Sequence, residues 1–164
     1  MNEVTPQTLD LLRVERRYGV ATVGQVLVAV WEDESIPTMA MFEDLLELIR
    51  KLRRESLARE LITLCIVAER AVVPEPALRR IGAQGFLLSD LFVVVHEGSG
   101  FRATMVRALF TTGVLAMSAK ANLQITADVD EASALIARCA CSAPVKASVL
   151  ASNVRELRER MRAA

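Results

Sequence analysis

The chain has 164 residues, 52% of them hydrophobic, which places it among folded globular domains and excludes a disordered segment. Twenty basic residues balance twenty acidic ones, so no general electrostatic attraction to nucleic acid is available. Aromatics make up only 4%, too few for a base-stacking platform, and the core must be built from Leu, Val, Ile, Ala and Met.

Met1 to Asp10 has no apolar stretch of the kind a secretion signal requires. The predicted elements begin with a short strand over Leu11–Arg17 and a turn at Tyr18-Gly19. Val20–Trp31 (VATVGQVLVAVW) follows as a second strand, with Val26, Val28 and Val30 at period two. The two form a hairpin. Pro37 and Thr38 then open a helix to about Glu55, whose Phe42, Leu45, Ile49 and Leu52 make one apolar stripe.

Leu61–Ala68 (LITLCIVA) is continuous and rich in β-branched residues, as suits a strand buried on both faces. Pro74 and Pro76 start a short helix through about Ile81, which Gly82 and Gly85 are expected to end. Leu91–Val95 is the next buried strand. A helix over about Phe101–Ser118 and a last strand over Leu123–Ala127 come after it. Asp128 and Asp130 offer caps for a helix carrying Ala132, Leu135, Ile136 and Cys139. A final helix covers about Ala147–Arg162. Strands alternating with helices imply parallel crossovers. The expected fold is therefore α/β: a mixed, mostly parallel sheet with an N-terminal β-hairpin, flanking helices and a C-terminal amphipathic helix. Residues 1–143 form the domain and 144–164 a helical extension.

Four features bear on function. Gly98-Ser99-Gly100-Phe101-Arg102-Ala103 fits G-x-G-x-x-G/A, so Gly98, Ser99, Gly100 and Arg102 are candidate anion ligands at a helix N-terminus. This crossover is not the first in the chain, and the acidic Glu97 precedes the glycines, both of which weigh against a dinucleotide site. The simpler alternative is a turn that needs glycine, with Ser99 capping the helix. The second feature is the helix Phe101–Ser118, apolar nearly all round. Phe101, Met105, Leu109 and Phe110 offer a face for another helix, a partner or a lipid-like ligand.

The third feature is the seam of Leu150, Val154, Leu157 and Met161 on the charged last helix, which either packs in cis or docks a partner or second copy. The fourth is His96, the single histidine, with no nucleophile elbow, P-loop or zinc spacing beside it. Glu97 should point to the opposite side of the strand. Cys139-Ala140-Cys141 lacks further ligands to complete a metal site. No catalytic residue, metal or cofactor is expected. The longest charge-free run in the most apolar region, Ala108–Ala119, is too short to span a bilayer, and reduced cysteines suit a cytoplasmic protein.

As a whole the chain resembles the STAS domains of the SpoIIAA type and their relatives grouped with SEC14-type lipid-binding folds. The stretches that carry this are "YGVATVGQVLVAVWEDESIPTMAMFEDLLELI", "LFVVVHEGSGFRATMVRALF" and "LQITADVDEASALIA". The resemblance spans roughly Leu11–Ala137. It implies a non-enzymatic regulatory module that binds a protein partner, or alternatively a carrier of a lipid or small hydrophobic ligand. STAS antagonists carry a phosphorylated serine in an Asp-x-Ser-Gly turn. The corresponding stretch here, "AERAVVPEPALRR" (Ala68–Arg80), has no serine or threonine, so no phosphoacceptor carries over.

Overall fold

The computed structural model describes residues 7–55, 60–100, 103, 122–140 and 145–164. Six strands form one mixed sheet in chain order: β1 (Leu9–Val14), β2 (Tyr18–Val23), β3 (Val26–Trp31), β4 (Ile62–Val67), β5 (Leu91–His96) and β6 (Leu123–Thr126). The pairs β1–β2 and β2–β3 are antiparallel, and β3–β4, β4–β5 and β5–β6 are parallel. The described helices are α1 (Met39–Glu55), α2 (Pro76–Leu88), α3 (Val129–Cys139) and α4 (Ala147–Ala163). The fold is the α/β class that the alternation of segments predicts.

Two local expectations are corrected. Val20–Trp31 is not one strand. Tyr18-Gly19 is not a turn but the start of β2, and the chain reverses again at Gly24-Gln25, with Val23 facing Val26. Gly24 takes φ 59°, the left-handed conformation that a tight hairpin requires and glycine adopts without strain. The opening unit therefore has three antiparallel strands. Nor do Gly82 and Gly85 end α2, which runs through both to Leu88. A Cβ on Gly82 would stand 3.0 Å from Phe42 Cε1, and one on Gly85 3.1 Å from Ile49 Cδ1. The glycines let α2 lie close against α1.

Alternation along the strands separates two cores. Val26, Val28 and Val30 of β3, Ile62, Leu64 and Ile66 of β4, and Leu91, Val93 and Val95 of β5 face α3 and α4. Leu27, Ala29 and Trp31, with Phe92 and Val94, join Leu45 and Ile49 of α1 on the other face. With helices on both sides, the central strands read as unbroken apolar runs. Asp128 caps α3, its Oδ1 accepting the Glu131 amide at 2.7 Å.

The C-terminal helix is part of the first core. Leu150, Leu157 and Met161 are 0% exposed and Val154 is 1% exposed, all within the cluster that includes the sheet. The seam is thus covered in cis by β1, β2 and α3. Arg158 ties the same helix to the ends of two strands. Its guanidinium donates to both Glu97 oxygens at 2.8 and 2.7 Å, and its Nε lies 3.0 Å from Glu32 Oε1. The fork of Arg158 matches the carboxylate of Glu97 atom for atom. The helix Ala147–Ala163 forms one wall of the first core.

Candidate functional site

The register of the parallel strands places Trp31 beside Val67 and Val67 beside His96. These are the last residues of β3, β4 and β5, and all three line a cavity of about 360 Å³. Cys65 and Val94 continue its floor two residues earlier, as a period of two requires. Phe42, Leu45 and Ile49 of α1 and Gly82 and Phe86 of α2 form the walls. The loop Ala71–Pro74 and Pro37 stand at the mouth with Arg79 and Arg80. A crevice at the carboxyl ends of parallel strands is where open α/β sheets bind ligands.

The lining is almost wholly apolar. Trp31 stacks obliquely on Tyr18 at 4.9 Å and on Phe42 at 6.0 Å, and Phe86 meets Phe92 edge-on at 4.5 Å. Among the described aromatic residues, Trp31, Phe42, Phe86 and Phe92 line this cavity, and Tyr18 packs against Trp31. Trp31 is 5% exposed, and its indole N–H is buried without a hydrogen-bond acceptor among the described residues. Such an orphan donor costs free energy unless something else supplies an oxygen.

Cys65 has surface facing the cavity yet lies deep beneath the helices, and burial pushes its thiol up to about 12 from an ordinary 9.0. It is a poor nucleophile, since the thiolate is the reactive form. Burial also raises the hydroxyl of Tyr18, followed by the effect of nearby Cys65. Both groups fold as neutral species. Their contribution to stability is complete below the unfolded-state value and is lost as pH rises toward the folded one. The urea midpoint should therefore fall between about pH 9 and pH 12. Cys65→Ala should flatten the first part of that fall, and an unchanged alkaline slope would show that the thiol is not buried.

His96 is 5% exposed and lines the cavity, whereas Glu97 faces α4 and Arg158. The two neighbours do point to opposite sides. At the glycine turn, Gly98 (φ 114°) and Gly100 (φ 104°) both adopt conformations that favour glycine. A Cβ on Gly98 would come within 2.6 Å of Glu69 Cγ, so an acidic side chain lies against the turn. Negative charge there opposes an anion, and the glycine is explained by this close approach. Ala103 is helical and 2% exposed. Phe101, Arg102, Met105, Leu109 and Phe110 lie outside the described residues, as does Cys141. Among the described residues no group of three or more His, Cys, Asp or Glu side chains is placed to hold a metal. No described helix is long and apolar enough to cross a membrane.

Sequence patterns alone do not single out this cavity. Trp31 reads as a strand end and Phe42 as one member of a stripe. The available signal was the pair Gly82 and Gly85, three residues apart on one helical face, where a close helix contact leaves room beneath it. No family model, curated protein or solved structure was found to match this chain.

Proposed function

We propose that this chain is a non-enzymatic binding domain of STAS-like architecture that takes a small apolar ligand into the cavity between α1, α2 and the sheet. The observation that carries this is the cavity itself: about 360 Å³, aromatic and aliphatic in lining, at the carboxyl ends of β3, β4 and β5. That volume lies within the range of small-molecule sites, and a few polar groups at the rim are their usual complement. The mixed sheet with helices on both faces supports the architectural part of the reading. Cys65, held as a neutral thiol by burial, supports binding over nucleophilic chemistry.

Trp31 is the single tryptophan and lines the cavity, so its fluorescence reports occupancy directly. A terminally brominated decanol should quench it saturably, and native mass spectrometry should show one molecule bound per chain. Linear, non-saturating quenching with no bound species would reject the ligand site.

A second form of the reading is favoured by the surface around the mouth. Ile36, Val72 and Val73 are 69%, 46% and 52% exposed, and Val72 and Val73 also line the cavity. This apolar rim suits a regulatory module that meets a protein partner beside its ligand. Concentration-dependent association of the chain, abolished by Val73→Asp, would support the rim as a contact surface. A constant mass for parent and variant at all concentrations would leave it as the entrance alone.

A further inference from the structure

The charges at the mouth are one-sided. Arg79 and Arg80 both line the cavity, both are exposed, and neither forms an ion pair or side-chain hydrogen bond with a described residue. No carboxylate is among the described lining residues, although the chain holds as many acids as bases. The arginines also sit near the N-terminus of α2. They follow directly on the first turn of α2, which begins at Pro76 and contains no acidic residue. A helix N-terminus carries a partial positive charge, and basic side chains near it repel that charge. Glu75, the N-cap residue, makes no side-chain cap bond and is the nearest acidic group in sequence. Two uncommitted guanidinium groups and the buried indole N–H of Trp31, orphaned among the described residues, share one apolar cavity, which Pro76 at the start of α2 also lines.

We infer that the ligand is a single-chain anionic amphiphile, with its apolar body in the cavity and its negatively charged head at the mouth against Arg79, Arg80 and the start of α2. This rests on the cavity being a ligand site and adds the chemistry of the occupant. A cavity of about 150 Å³ admits benzene, so the present one holds roughly twelve to fifteen heavy atoms. That suits a medium-length chain with a carboxylate head and is too small for a lipid with two acyl chains. Guanidinium groups match a carboxylate through paired N–H donors, which a neutral head cannot exploit equally.

The test compares decanoate, decanol and decyltrimethylammonium by isothermal calorimetry on the full chain. Decanoate should bind roughly tenfold more tightly than decanol, as expected for a charge-assisted contact at a partly exposed rim. The cation should bind more weakly than either, and the preference for decanoate should shrink at high salt. Arg79→Gln combined with Arg80→Gln should abolish the preference, with decanoate losing about tenfold in affinity and decanol far less. The paired lysine variant should retain part of it, and Arg54→Gln, outside the cavity, should retain all of it. If decanol binds the parent as tightly as decanoate, the inference fails and the ligand site stands. If none of the three binds, the ligand site itself is rejected.

Discussion

Leu157→Ala should lower the free energy of unfolding by about 3 kcal/mol, because the side chain is 0% exposed in the core between α4 and the sheet. The loss combines the transfer free energy of the deleted methyl and methylene groups with the cavity left behind. Its surroundings explain why collapse would be incomplete. A Cβ on Gly19 of β2 would lie 3.2 Å from Leu157 Cδ1 and 2.7 Å from Met161 Sδ, so helix and strand already touch. Leu157→Asp should prevent stable folding, since a lone carboxylate would be buried there. The decisive feature is concentration dependence. Urea midpoints for parent and Leu157→Ala should differ by the same amount at all protein concentrations. A gap that closes with dilution, accompanied by a change of mass, would mean that the seam is covered by a second chain.

Cys65→Phe is expected to remove binding of decanoate by at least roughly thirtyfold without loss of stability. Cys65 lines the cavity together with Trp31, Phe42 and Phe86, so the added ring is expected to occupy cavity volume rather than to displace neighbours. Filling a cavity commonly stabilises by about 0.5–2 kcal/mol. Ala83→Leu, which fills the same space from the α2 wall, provides an independent obstruction. Calorimetry should show loss of binding in both variants, with urea midpoints at or above that of the parent. Undiminished binding in two well-folded variants would place the ligand elsewhere. A pronounced fall in stability would show that the cavity is already filled by the chain.

Much of this architecture is legible in local patterns. The strands β4 and β5 stand out because an unbroken β-branched run is stable only when both faces are covered, and both are. Asp128 is recognisable as a cap because its side chain serves the amide three residues on. The errors arise where distant packing overrides local signals. Gly82 and Gly85 read as helix terminators, but in the folded chain they answer Phe42 and Ile49 of another helix. The stripe on α4 is visible from spacing, whereas its cover, β1, β2 and α3, depends on topology. The second hairpin is hidden because Val23 and Val26 continue the apolar pattern on either side of Gly24-Gln25.

The candidate site was less legible than the fold. It is assembled by the register that sets Trp31, Val67 and His96 side by side, and no short stretch of sequence contains that register. The motif that does stand out in sequence, Gly98 to Ala103, belongs to a turn packed against Glu69. Arg79 and Arg80 resemble an ordinary solvated pair until α2 is placed over the cavity.

The most direct test is a titration of isotopically labelled protein with decanoate, followed by nuclear magnetic resonance. The expected result is saturable shifts at the Trp31 indole N–H, at Phe42 and Phe86, and at the side chains of Arg79 and Arg80, with α4 unaffected. Shifts confined to Gly98–Ala103, or none at millimolar ligand, would contradict it.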